Sequence, residues 1–563
     1  MQVDYPVTNA HSGIKDNMAK PVTPDMLDSK TPEDVKVCAQ AREPVTDPTL
    51  GIAVQVNRQG TPRHRLVTIG DSLTQGFQSG AIFNTKLSYP RIIAREMGWN
   101  QLRYPTYDGP GDGLPLNLEH LARQVENKLG ETIDWWEFAS FLSFVRNYLD
   151  EVEDYWERGA GSFAPDPNGK INHNLAVYGW DLRNTLSCTA QICQRILDEN
   201  PPKDDYLRQI VENHNERAAI QVLNTARDVR GNALTPLQAA AALSGAGTVE
   251  NPDGDGIETL IILIGANNAL GSILTFKVNW TAEGYDDMAI NDRYTAWRPI
   301  HFKAELDQLV AQVKKIRARH VIWGTVPHVT IAPFARGVNK DSDGNKAKPG
   351  SRYFPFYTLP WISDDDFDRN KHPKITGQEA RAIDSAIDQY NDYITEIVRQ
   401  GRTEGRDWYL FETAGLLDRL ASRRYIEDPD ARPDWWEKVG GQYKLPPELQ
   451  ALSPVPDSRF YNSGPNGRTS GGLFSLDGIH PTTIGYGIMA QEFIKIMQLA
   501  GVKFYESDGK TERKGTVKVN FKRLIAEDTL ISNPPRSLSN AVSLINSIDK
   551  NFNVFSSMLK NSY

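Results

Sequence analysis

The stretch Arg65-Leu66-Val67-Thr68-Ile69-Gly70-Asp71-Ser72-Leu73-Thr74-Gln75-Gly76 decides how the rest of the chain is read. Residues 66–69 form an apolar, β-branched run that ends abruptly in Gly-Asp-Ser, with more turn-forming residues behind it. Such a run predicts a buried parallel strand. Ser72 then falls at the carboxyl end of that strand, where open α/β sheets gather their chemistry. A helix starting just after it would aim unpaired backbone N–H groups at whatever binds there. A serine in this place can cap the helix or act as a nucleophile, and the other segments decide between the two.

Outward from this stretch, strands alternate with helices. Strands are predicted at 175–178, 259–264, 321–326 and 408–411, and helices at 89–97, 300–318, 377–400 and from after Tyr486 to Ala500. The alternation predicts an α/β fold, a parallel sheet of about five strands with helices on both faces and right-handed crossovers. Residues 1–63 are polar, with scattered prolines and little periodicity, and read as an irregular N-terminal extension. The core domain is expected over 64–505, with insertions at 99–170 and 418–472, and a C-terminal extension over 506–563. The first insertion opens with the Gly- and Pro-rich run 108–113. It continues as a helix whose Phe138, Phe141, Leu142, Val145, Leu149 and Val152 share one face. That face suits a helical subdomain core or the wall of an apolar site.

The tail carries two patterns. Residues 516–521 alternate like a strand. Beyond Pro534-Pro535, Leu538, Ala541, Ile545, Ile548, Phe552, Phe555 and Leu559 form a narrow apolar seam over about three heptads. Such a helix can dock on its own domain, on a partner, on a second copy or on a membrane surface.

Composition narrows the classes. At 563 residues and 39% hydrophobic the chain can bury a large core, and a net charge of −8 argues against a general nucleic-acid binder. No apolar run reaches the length of a membrane span. No basic region with an apolar core opens the chain, so the expected setting is the cytoplasm, or export without a visible signal peptide. Three cysteines exclude a disulfide scaffold. Cys188 and Cys193, about 140° apart on one predicted helix, are not expected to meet. Two acidic loops, 251–256 and 339–344, echo the start of a calcium-binding loop. Their twelfth positions are Ile262 and Gly350 rather than glutamate, so both read as polar turns. No metal or cofactor is expected.

Gly70-Asp71-Ser72-Leu73, Gly179, Gly265-Ala266-Asn267 and Asp477-Gly478-Ile479-His480 resemble, in order, the four blocks of the SGNH (GDSL-type) hydrolase superfamily. The resemblance covers the sheet and its helices, not the extensions or the insertions. It implies a flavodoxin-like fold and a serine ester hydrolase. Asn268 departs from it, since the family often has Asp there. A serine hydroxyl needs a base, and His480 is the candidate because imidazole titrates near neutrality. Asp477, three residues earlier, can fix the imidazole tautomer. The resemblance assigns the oxyanion donors to the Ser72 and Gly179 backbone N–H groups and the Asn267 side-chain amide. Asp71 reads as a structural hydrogen-bonder, and His328 as a pocket residue or a turn residue.

The substrate class is an ester with an apolar acyl chain, because the insertions are rich in aromatics. A carbohydrate O-acetyl esterase would use those tryptophans to stack on sugars, and an acyltransferase would use the same residues as a hydrolase. The alternative of another class is a binding or assembly protein built on a hydrolase fold.

Overall fold

Four parallel strands make the central sheet: β1 (His64–Gly70), β2 (Ile257–Leu263), β3 (Ala318–Gly324) and β4 (Trp408–Phe411), side by side in that order. They are seen in a computed structural model that describes residues 21–56, 58–130, 138–202, 210–340, 344 and 346–536. Successive residues along each strand enter opposite cores. Val67, Ile69, Leu260, Ile262, Val321 and Trp323 face one. Leu66, Ile261, Leu263, Ile322, Tyr409 and Phe411 face the other. A sheet buried on both faces explains why these strands read as unbroken apolar runs.

Helices supply the two cores. β1 runs into the one-turn helix α1 (Ser72–Gln75), and α2 (Tyr89–Glu96) follows. The first insertion contributes α3 (Leu118–Leu129) and α4 (Phe138–Glu157). Then come α5 (Leu182–Ser187), α6 (Asn267–Thr275) directly after β2, α7 (Pro299–Val313) before β3, and α8 (Gly377–Thr403) before β4. The long α9 (Thr483–Leu499) and short α10 (Phe521–Glu527) complete the set that matters here. Phe302 and Leu306 of α7 and Ile383 and Tyr390 of α8 pack on the first face. Ile92 and Ile93 of α2 and Phe493 and Met497 of α9 pack on the second.

The sheet has four strands rather than about five, because 175–178 is not a strand. That segment still runs along the free edge of β1: Leu175 N–H donates to Thr68 O at 2.9 Å and Val177 N–H to Gly70 O at 3.2 Å. With Thr68 N–H donating to His173 O at 2.9 Å, the contact amounts to an isolated bridge between Thr68 and Asn174, and the Asn174 side chain bonds backbone groups outside that pairing. Its Oδ1 accepts from Ala176 N–H at 3.2 Å and its Nδ2 donates to Thr74 O at 2.9 Å.

The alternation at 516–521 is real but is not a strand either. Val517, Val519 and Phe521 are buried against α9. Their backbone is served by side chains: Val517 N–H donates to Gln498 Oε1 at 3.0 Å and Val519 N–H to Gln491 Oε1 at 2.8 Å. The apolar seam proposed beyond Pro535 lies outside the described residues.

The described part of the N-terminal extension is irregular, with one 3₁₀ turn at Pro24–Met26. It nevertheless docks on the domain. Pro48 O accepts from Leu410 N–H of β4 at 2.9 Å. Arg42 bridges Asp392 at 2.7 Å and Glu412 at 3.0 Å. In the first insertion, α4 holds the 108–113 run: Trp156 Nε1–H donates to Gly113 O at 2.8 Å and Tyr148 O–H to Gly111 O at 3.2 Å. In the second, Trp435 and Trp436 are buried in a small core with Ala41 and Tyr425.

Cys188 and Cys193 do meet, which corrects the expectation from helical spacing. The helix breaks between them. Cys188 ends α5, Thr189 caps a new helix, Ala190–Glu199, and the two sulfurs lie 3.5 Å apart, both buried. Among the described residues no helix is long and apolar enough to cross a membrane.

Candidate active site

The strand-to-helix turn after β1 sets the site. Gly70 leaves no room for a side chain, since a Cβ there would stand 2.4 Å from Leu263 O. Asp71, not Ser72, caps α1: its Oδ1 accepts from Leu73 N–H at 3.1 Å. Ser72 is therefore released from capping and is the first residue of the helix. Burial pushes the Asp71 carboxyl up to about 7, against the pull of the Leu73 N–H and of His480. Asp71 thus serves the turn as a hydrogen-bond acceptor for Leu73 N–H.

Ser72, His480 and Asp477 come together from opposite ends of the chain. His480 Nε2 lies 2.8 Å from Ser72 Oγ, and His480 Nδ1 lies 3.0 Å from Asp477 Oδ2. All three residues are more than nine-tenths buried. Burial alone would raise the Asp477 carboxyl. The His480 ring and the N–H groups of His480 and Ile479, at 2.9 and 2.8 Å, instead hold it below the usual carboxylate range. An ionised carboxylate only accepts, so it fixes the proton on Nδ1 and leaves Nε2 to accept from the serine.

The loop after α1 is stitched to the loop bearing Asp477. Gly80 N–H donates to Asp477 Oδ2 at 3.0 Å, and Ser79 N–H to Ser475 Oγ at 2.8 Å. The Phe77 ring packs on His480 with centroids 4.6 Å apart. Among the described residues, no acceptor takes the N–H of Ser72 or of Gly179. Gly179 has φ +76°, and a Cβ there would meet Asn215 Nδ2 at 2.3 Å, so the position demands glycine. Asn267 opens α6, and its Nδ2 donates to Trp180 O at 2.8 Å, which brings the amide to the loop carrying Gly179. Asn268, where the resemblance breaks, is fully buried. Its Oδ1 accepts from Leu182 N–H of α5 at 3.4 Å, and its backbone O from Trp297 N–H at 2.8 Å.

Gln75 is a residue that motif reading passed over. Its Oε1 accepts from Tyr178 N–H at 2.7 Å and its Nε2 donates to Tyr107 Oη at 2.8 Å. It thus clamps the loop that carries Gly179 to the helix that carries Ser72.

Beside Ser72 and His480 lies an apolar pocket with about 810 Å³ of empty space, part of it open to solvent. Leu73, Leu270, Ile331, Leu416, Leu473 and Ile488 form its walls. Among the described residues, the first insertion contributes none of them. His328 also borders the pocket and is locked in place: Nδ1 lies 2.9 Å from Asp418 Oδ1 and Nε2 2.9 Å from Asp388 Oδ1. Burial alone would lower this imidazole, but the two carboxylates raise it well above its ordinary range, so it is held as a cation.

No family model, curated protein or solved structure matches this chain.

Proposed function

We propose that the protein is a serine ester hydrolase of the SGNH type, acting on esters with an apolar acyl chain through an acyl-enzyme on Ser72. The observation that carries this reading is the Ser72–His480–Asp477 relay, at 2.8 and 3.0 Å, at the edge of an apolar pocket. His480 Nε2 takes the Ser72 hydroxyl proton as Oγ attacks the ester carbonyl carbon. The N–H groups of Ser72 and Gly179, with the Asn267 amide, stabilise the oxyanion that forms. The intermediate collapses, His480 returns the proton to the leaving alcohol, and the acyl group stays on Ser72. Water then repeats the sequence and frees the acid.

A flavodoxin-like arrangement fits the sheet, with the 173–177 segment, β1, β2, β3 and β4 side by side. The apolar walls favour an acyl chain. The burial of Trp435 and Trp436 argues against their use in sugar stacking.

A series of p-nitrophenyl esters from acetyl to octanoyl tests the substrate class. The prediction is that kcat/KM rises with chain length, by up to about fourfold per buried methylene. A maximum at acetyl would overturn the apolar acyl reading while leaving the serine mechanism standing.

A further inference from the structure

A second cleft lies away from Ser72, between the start of α8, the loop before it and the N-terminal extension, with about 1910 Å³ of space, much of it open to solvent. Six cations line it: Lys346, Lys348, Arg352, Arg369, Arg381 and Arg432. Among the described residues Asp25 is the one carboxylate on its wall, and it pairs with Lys348 at 3.4 Å. In a chain of net charge −8, such a concentration of one sign in a concavity calls for a counter-charge.

Two of the cations are largely enclosed and are met in different ways. Arg381 is only 6% exposed, and its Nη1 donates to two backbone carbonyls, Cys38 O at 3.0 Å and Ala39 O at 2.8 Å. Among the described residues it makes no ion pair. The Arg352 side chain is 8% exposed, and its nearest carboxylates, Asp384 and Asp388, stand 3.9 Å away. Those two buried carboxylates pair with the Arg352 guanidinium and hold it charged, although its enclosed Nη1 makes no hydrogen bond. Both guanidinium groups sit against one ring, Tyr353, at 5.0 and 4.7 Å from its centroid. Asp384 and Asp388 answer Arg352 from behind, whereas Arg381, enclosed and met by carbonyls, carries a charge that calls for an anion. Arg432, on the other wall, is likewise anchored by a carbonyl, with Nε–H donating to Tyr425 O at 2.8 Å, and makes no ion pair among the described residues.

We propose that this cleft binds a small free polyanion bearing phosphate- or sulfate-type groups, held by Arg352, Arg381 and Arg432. Guanidinium forks match the geometry of such oxyanions, and backbone carbonyls hold two of the three without neutralising them. The concave form and the aromatic floor suit a small molecule rather than an extended surface.

Titration calorimetry of the full chain with inorganic pyrophosphate, at low salt, tests the proposal. The prediction is saturable binding at one site, weakened about tenfold or more by Arg381→Gln and by Arg432→Gln, and weakened by added salt. Lys495→Gln, away from the cleft, should leave it unchanged. Arg432 is less enclosed, so its variant keeps the test valid if Arg381→Gln does not fold. Pyrophosphate should also raise the melting temperature of the wild type, and less that of either arginine variant. Absence of saturable pyrophosphate binding, or equal affinity in the wild type and Arg432→Gln, would overturn the proposal. So would binding only to vesicles containing phosphatidylinositol phosphates, which would make the site a membrane contact.

Discussion

Asp71 and Ser72 divide between them two tasks that a single residue could have been asked to do. With the cap supplied by Asp71, the serine hydroxyl is free to meet His480. The separation matters because a capping hydroxyl is committed to backbone N–H groups, whereas a nucleophile must give its proton to a base. Gln75 performs the third task, since its two hydrogen bonds tie the Gly179 loop to α1. Small displacements of an oxyanion donor are expensive in rate. Gln75→Ala should therefore lower kcat by about ten- to a hundredfold with little change in KM, measured on the best p-nitrophenyl ester. A rise in KM at unchanged kcat would contradict this positioning role. The motif residues themselves were legible, because each block sits at the abrupt end of an apolar run or just before the C-terminal helix. Gln75 was not, since nothing in a sequence says which buried amide reaches a loop a hundred residues away.

The structural elements were legible where side chains alone decide them. The runs at 66–69, 259–264 and 408–411 appear as strands within a residue or two, because both faces of the sheet are buried. Three readings failed where local periodicity does not decide. The 175–178 segment meets β1 as an isolated bridge, Gln491 and Gln498 serve the segment at 516–521, and Thr189 starts a new helix between the two cysteines. The same kind of interaction joins α9 to the C-terminal segment. Asp528 Oδ2 accepts from Ile484 N–H at 2.9 Å, in the first turn of the helix that follows His480. Burial, with Glu119 nearby, pushes the Asp528 carboxyl up to about 7 in spite of that N–H. A carboxyl raised on folding contributes stability below its unfolded value, near 4, and loses it as pH rises through 7. In urea titrations, Asp528→Asn should gain on the wild type between pH 4 and 7, by on the order of 1 kcal/mol per pH unit. A difference that does not vary with pH would contradict this.

At the scale of the whole molecule, the N-terminal extension is part of the domain. It lies along β4, which would otherwise be an open sheet edge, and supplies an acceptor for Leu410 N–H. Arg42 secures it between Asp392 and Glu412, and the Arg42–Glu412 pair is nearly enclosed, with side chains 13% and 10% exposed. Removing one partner of such a pair leaves a charge stranded. Arg42→Met should therefore cost about 3 kcal/mol of unfolding free energy, measured by urea denaturation. A loss below about 0.5 kcal/mol would show that the extension adds little. Its polar sequence gave no hint of this, because it uses carbonyls and ion pairs rather than an apolar face. The aromatic insertions misled in the opposite sense. Trp435 and Trp436 pack in a small core of their own, Trp99 and Trp156 join the two main cores, and among the described residues Leu420 is the one insertion residue on the wall of the pocket beside Ser72.

The central claim is that Ser72 is an activated nucleophile. Labelling with a fluorophosphonate probe, followed by intact-mass analysis, tests it most directly. The wild type should gain a single adduct on Ser72. Ser72→Ala should gain none, and His480→Ala should label at least a hundredfold more slowly. A folded wild type that remains unlabelled, or a Ser72→Ala variant that labels as fast, would contradict it.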